Sequence, residues 1–203
     1  MNNPSLTTFL AAAQSLPISE ERQAVLQPLV RYLKNTRESE QTVYLNCICT
    51  HNSRRSQFAQ VWAAVAAHLH QMPAQVFSGG VEITACHPNT VASLQRSGLS
   101  ITALDSTDNP RYAVQFDEDA PPLILFSKLY DDVANQAPSF AALLTCAHAD
   151  ENCPFIPGAE ARIALNYNDP KQFDGSPQEA AGYDERSLQI ASEMLFAFKM
   201  ATQ

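Results

Sequence analysis

The chain has 203 residues, a length that suits one domain with at most a small appendage. Its 13 Lys+Arg against 21 Asp+Glu give a net charge of −8, which argues against nucleic acid or an anionic membrane as the main partner, since both need a basic face. A composition that is 45% hydrophobic and 17% charged belongs to an ordinary globular protein rather than a disordered one, and no run approaches the ~18 apolar residues of a membrane span.

No Lys or Arg precedes Arg22, so the mildly apolar stretch 6–13 lacks the positive region of a secretory signal and a cytoplasmic location is expected. The five cysteines, Cys47, Cys49, Cys86, Cys146 and Cys153, are an odd number, which suits reduced thiols better than a disulfide framework. Leu6, Phe9, Leu10 and Ala13 repeat at helical spacing and predict a short helix capped by Ser5. Ser19 is the cap expected for a second helix, with Glu20 and Glu21 in its first turn and Leu26, Leu29, Val30 and Leu33 as its apolar stripe. Pro28 predicts a kink or restart, and the polar residues 35–41 read as a connection.

Residues 42–48 have the β-branched and aromatic content of a short strand. The period then changes: Phe58, Val61, Trp62, Val65 and Leu69 predict a helix over 55–70, with Trp62 as packing and His68 and His70 at its surface end. A second strand is expected over 75–79, closing on Gly79 and Gly80, then a helix over 89–97 stopped by Gly98. Two strands over 111–116 and 123–126 flank the acidic turn 117–122, strands follow over 140–146 and 162–167, and a helix over 179–200 closes the chain. Strands alternating with helices predict an α/β fold with a mostly parallel sheet covered on both faces. Folds of that kind place their sites at the C-terminal ends of strands.

Cys49 falls there, at the head of Cys49-Thr50-His51-Asn52-Ser53-Arg54-Arg55-Ser56. Five residues wrapping into a helix N-terminus can point their backbone N–H groups at one centre, a nest for a tetrahedral oxyanion. Arg55 supplies a bidentate fork, and Arg54 is a second cation whose side chain is expected to point outward. The same positive field favours an ionised sulfur at Cys49, Ser56 can donate to it, and Asn52 tolerates left-handed backbone. A nucleophile at the floor of such a cradle suits attack on phosphate-like substrates. The bland alternative is a chance meeting of polar residues in a βα loop.

The pattern Cys49-Thr50-x-Asn52-Ser53-x-Arg55-Ser56-Gln57-x-Ala59-x-x-Trp62 resembles the active-site loop of the low-molecular-weight protein tyrosine phosphatases, and is closer still to thioredoxin-coupled arsenate reductases on the same fold. Ser78-Gly79-Gly80-Val81-Glu82 and His87-Pro88-Asn89 add to the resemblance, which covers residues 42–203. It implies a four-stranded parallel sheet flanked by helices, with the anion loop after the first strand and a late Asp-Pro loop. That loop is Asn168-Asp169-Pro170 here, so the resemblance makes Asp169 the general acid; by itself Asp-Pro reads as a plain turn. His51 stands where such loops usually carry Gly.

The segment from Thr145-Cys146 to Cys153-Pro154 resembles the arsenate reductase redox segment. The resemblance implies that Cys146 resolves the Cys49 adduct, that Cys153 takes over the disulfide, and that a thioredoxin-like reductant resets the pair. Read from residues alone, Cys146 is equally a buried strand-end thiol and Cys153 an idle one. A metal on Cys146, His148 and Cys153 needs a fourth ligand and fits no common zinc spacing. One on Cys47, Cys49 and His51 would block the nest, since alternation sends both thiols to one face. Cys47 therefore reads as core and Cys86 stays unassigned, and neither metal nor cofactor is expected.

The expected architecture is an N-terminal helical extension over 1–38 and a phosphatase-like domain over 39–203, with a possible hairpin inserted between 105 and 138. The expected activity is reduction of arsenate through Cys49, Arg55, Asp169, Cys146 and Cys153. The alternatives are a phosphatase acting on phosphotyrosine or another phosphomonoester, and a non-catalytic anion sensor built on the same nest.

Overall fold

The computed structural model describes residues 3–152 and 155–203, so Cys153 and Pro154 lie outside the described residues. Helix α1 (Pro4–Ser15) begins ahead of the Ser5 cap expected from the sequence. The Asn3 side chain accepts from the N–H groups of Ser5 and Leu6, and Pro4 takes the first helical position, where a missing N–H costs nothing. Helix α2 (Glu20–Glu38) is capped by Ser19 as read, but it runs on through Pro28 and absorbs residues 35–38, assigned above to a connection. Leu26, Leu29, Val30 and Leu33 are buried on both sides of the proline, and their packing outweighs the one backbone bond that proline removes.

The elements that follow are β1 (Val43–Cys49), α3 (Arg55–Leu69), β2 (Ala74–Gly80), α4 (Pro88–Arg96), β3 (Ser100–Ala103), β4 (Tyr112–Gln115) and β5 (Leu123–Leu125). The chain then continues through β6 (Phe140–Leu144), α5 (Ala147–Asn152), β7 (Ala159–Ala164) and α6 (Glu179–Ala201). Four strands form a sheet in the order β2-β1-β6-β7, with every pairing parallel. All of β6 and all of β1 except Tyr44 are buried, as strands covered on both faces must be.

The large apolar cluster lies under α1, α2, α3 and α6. Trp62 of α3 is its hub: its ring stacks on Phe9 of α1 at 4.7 Å, and its Nε1 donates to Ser187 Oγ of α6 at 3.0 Å. Burying an aromatic of this size contributes roughly 2–3 kcal/mol. Helices α1 and α2 thus share one core with the sheet domain.

Strands β3, β4 and β5 form a second, antiparallel sheet. The sequence showed β4 and β5 but not β3, whose four residues, Ser100-Ile101-Thr102-Ala103, are largely exposed and too few to mark a strand by their alternation. Among the described residues no helix is long and apolar enough to cross a membrane.

Strand β1 has β2 on one side and β6 on the other, so successive connections leave it in opposite directions. The crevice at its C-terminal end is a topological switch point. Cys49 is the last residue of β1.

Candidate active site

The backbone of the loop from Thr50 to Ser53 is held through its carbonyl groups. Thr50 O accepts from the N–H groups of Val81 and Glu82, and Ser53 O from His87 N–H and the Thr90 hydroxyl. His51 O accepts from the hydroxyls of Ser127 and Thr84, and Asn52 O from Gln57 Nε2 at 2.8 Å. With the carbonyls turned out, the N–H groups of His51, Asn52, Ser53 and Arg54 have no acceptor among the described residues. A ring of inward amides running into the N-terminus of α3 is an anion-binding nest. Close approach of β2 makes this possible: a Cβ on Gly80 would lie 2.8 Å from both Asn52 N and Thr50 O, so only glycine fits.

Asn52 is buried in left-handed backbone with φ of 46°. Its Oδ1 accepts from Lys128 N–H and its Nδ2 donates to Ser56 Oγ at 2.9 Å. Ser56 Oγ lies 3.1 Å from Cys49 Sγ. Because the Asn52 amide donates to the Ser56 oxygen, the single hydroxyl hydrogen is left for the sulfur. Cys49 itself is 3% exposed, at the floor of the loop. It packs with Ile48 and Cys146, whereas Cys47 packs with Val43 and Leu45 in the large core. The common environment expected for Cys47 and Cys49 is therefore not found, because β1 ends at Cys49 and the chain begins to wrap there. Burial pushes the Cys47 thiol up, and that of Cys86 up to about 12, consistent with inert core thiols.

The Arg55 fork is bonded to the segment that follows β7. One nitrogen donates to Tyr167 O at 3.0 Å and another to Asp169 Oδ2 at 2.7 Å, while Nε is buried with no acceptor among the described residues. Asp169 also performs the plain turn role, since its Oδ1 accepts from Lys171 N–H and starts the short 3-10 turn Pro170–Phe173.

Arg54 does not point outward. Its Nε donates to Tyr183 Oη at 2.7 Å and its NH2 pairs with Asp174 at 3.2 Å, leaving the side chain 13% exposed. Tyr183 in turn donates to Asp174 Oδ1 at 2.8 Å and stacks on His87. Two acceptors contributed by α6 and the segment before it draw the guanidinium inward. Burial and the Arg54 charge hold the His87 imidazole below its ordinary value, and burial pushes the Tyr183 phenol up to about 12. His51, by contrast, lies at the rim and contacts Glu82 at 3.3 Å.

Strand register delivers Cys146. Ile48 pairs with Leu144, and two residues further the chain brings Cys146 Sγ within 3.6 Å of the Thr50 hydroxyl. The same hydroxyl contacts His148 Nδ1 at 3.3 Å. Cys146 is buried, 1% exposed, in the small apolar cluster that also holds Cys49. Among the described residues no group of three or more His, Cys, Asp or Glu is placed to hold a metal ion.

Sequence reasoning missed Asp174, Tyr183, Ser127 and Lys128 as neighbours of the loop. None lies near Cys49 in the chain, and no local pattern marks them.

No family model matches the chain. It is 29% identical over 133 residues to an arsenate reductase of Brevibacillus brevis, covering 66% of this chain and 79% of that one. An arsenate reductase of Bacillus licheniformis is 27% identical over 160 residues, 79% of this chain and 96% of its own. Among solved structures, a mutant of YwlE from Bacillus subtilis aligns with a TM-score of 0.51 at 14% identity, covering 79% of this chain and 99% of that one. A low-molecular-weight protein tyrosine phosphatase from T. tengcongensis aligns with a TM-score of 0.50 at 14% identity, covering 75% and 95%. The structural likenesses establish a shared fold.

Proposed function

We infer that this chain, a member of the low-molecular-weight protein tyrosine phosphatase superfamily, is a cysteine-dependent arsenate reductase. The observation that carries this reading is the place of Cys146, buried beside Thr50 in one cluster with Cys49. Hydrolysis of a phosphomonoester has no use for a second thiol there; reduction requires one.

In this reading the loop amides and Arg55 bind arsenate. The Cys49 sulfur attacks arsenic and a hydroxyl group leaves as water, with Asp169 supplying its proton. Cys146 then attacks Cys49 Sγ. The sulfur–arsenic bond breaks with its electron pair going to arsenic, which leaves reduced from As(V) to As(III) as arsenite, and a Cys49–Cys146 disulfide remains. Cys153 attacks Cys146 Sγ, frees Cys49 as a thiolate and forms a Cys146–Cys153 disulfide. An external dithiol of the thioredoxin kind takes up that oxidation. Residues 1–38 are then an extension on a catalytic domain over 39–203. The cycle uses no metal or cofactor, and the acidic chain works in the cytoplasm.

A phosphatase reading rests on the Arg55–Asp169 contact, which sets an acid beside the anion fork. The two are separated by thioredoxin-coupled turnover of arsenate and by hydrolysis of an aryl phosphate. The reductase reading expects Cys146→Ser and Cys153→Ser each to abolish arsenate turnover while leaving aryl phosphate hydrolysis in place. Undiminished arsenate turnover in the double variant would overturn it. Mass mapping of the enzyme oxidised by arsenate is expected to find the Cys146–Cys153 bond.

A further inference from the structure

Behind the anion loop, between α3, β2 and β5, lies a cavity of about 440 Å³. Its lining includes Lys128, Gln60, Phe126, Phe77, Leu123 and Ile124. It shares no residue with the nest.

Lys128 is 3% exposed, yet among the described residues no carboxylate or carbonyl hydrogen-bonds its ammonium. Its near contact is the Phe126 ring, 4.5 Å from Nζ to the centroid. A cation this deeply buried is ordinarily paired. Burial draws its ionisation down to about 8, against Asp132, so much of it remains charged at neutral pH. Gln60 is 4% exposed, and its Oε1 accepts from the Ser78 hydroxyl at 2.6 Å. That bond fixes the other end of the amide as a donor, and the donor has no acceptor among the described residues. The lining contains no Asp or Glu. Arg111, at the rim, already pairs with Asp105 at 2.8 Å.

We propose that this cavity binds a small organic carboxylate, with one oxygen on the Lys128 ammonium, the other on the Gln60 amide, and its apolar body against Phe77, Leu123, Ile124 and Phe126. A bare inorganic anion would leave those walls unused, and a neutral ligand would leave the ammonium unpaired. The volume falls within the range of small-molecule sites. The bound ligand lies close to the loop, because Lys128 N–H donates to Asn52 Oδ1 at 3.0 Å. The inference does not depend on the chemistry assigned to Cys49.

The test uses the full chain, with inorganic phosphate saturating the nest, and benzoate as probe in a calorimetric or NMR titration. Benzoate is expected to bind, and benzamide, which has the same shape without the charge, to bind about tenfold or more weakly. Lys128→Met is expected to weaken benzoate to a similar degree. Absence of benzoate binding, equal binding of benzamide, or unchanged affinity in Lys128→Met overturns the proposal. Should Lys128→Met fail to fold, Ile124→Trp takes its place, since Ile124 is 39% exposed and a larger ring there fills the cavity. Loss of benzoate binding in that variant supports the site, and retention overturns it.

Discussion

Arg55 and Asp169, 114 residues apart in the chain, meet at 2.7 Å with the arginine as donor. This contact, with the bond from Arg55 to Tyr167 O, ties the anion loop to the segment after β7. An oxyanion bound in the nest competes with a carboxylate for the same fork, because each offers a pair of oxygen acceptors that a guanidinium can grip.

Asp169→Asn separates acid chemistry from fork geometry. Its single amide oxygen keeps the acceptor for Lys171 N–H, while the position facing Arg55 becomes a donor and the transferable proton is lost. Hydrolysis of an aryl phosphate with a poor leaving group is expected to fall about 100-fold or more in kcat. Inhibition by inorganic phosphate should be unchanged or stronger, since the neutral amide competes less well for Arg55. Unaltered kcat would remove Asp169 from the acid role.

Ser56→Ala deletes the hydroxyl 3.1 Å from Cys49 Sγ. That hydroxyl, held by Asn52, is the donor available to the reacting sulfur, so alkylation of Cys49 by iodoacetamide should slow about tenfold or more without it. Ser56→Thr, which restores the hydroxyl, should recover most of the rate. Equal alkylation rates in all three proteins would show that the bond does nothing for the sulfur.

Arg22 of α2 grips Glu193 of α6 with two bonds, 2.8 and 2.7 Å, and Glu193 is 2% exposed. Arg22→Met leaves a buried carboxylate without its counter-charge, with only the Gln189 amide donating to it, and should cost about 3 kcal/mol in a urea titration. The double variant Arg22→Met, Glu193→Met should recover most of that loss, because it removes the stranded charge. A double variant as unstable as the single one would show that packing, not charge, is what Arg22 supplies.

Stability should fall on acidification through His87. Burial and Arg54 hold this imidazole below the ordinary 6.5, so the unfolded chain takes up its proton first. The contribution is present above about pH 6.5 and is lost as pH falls through the lower folded value. His87→Asn keeps a capping acceptor for Asn89 N–H and does not titrate. Its urea midpoint should drop less between pH 7.5 and pH 5 than that of the parent. His70, lowered by its own burial, leaves a residual slope in the variant. Identical slopes in the two proteins would assign the acid sensitivity elsewhere.

Most of the elements were legible because each reflects a local rule. The stripe Leu26, Leu29, Val30, Leu33 and the cap Ser19 lie within one helix, and the run into Cys49 lies within one strand. Errors arose where a local rule met a distant partner. Pro28 did not break α2 because residues on both sides of it are anchored in the core. Arg54 turned inward because Tyr183 and Asp174 supply acceptors that nothing near position 54 announces.

By itself the amino-acid order determined the α/β alternation, the strand that ends on Cys49 and the loop that follows, because backbone propensity and motif spacing act over a few residues. Tertiary structure alone decided which distant groups face that loop. The register of β1 on β6 set Cys146 beside Thr50, and the turn after β7 carried Asp169 to Arg55. The chain passing behind Asn52 left the Lys128 ammonium over the Phe126 ring. Such contacts depend on how whole strands and helices are stacked, and no pattern confined to a short stretch of chain carries that information.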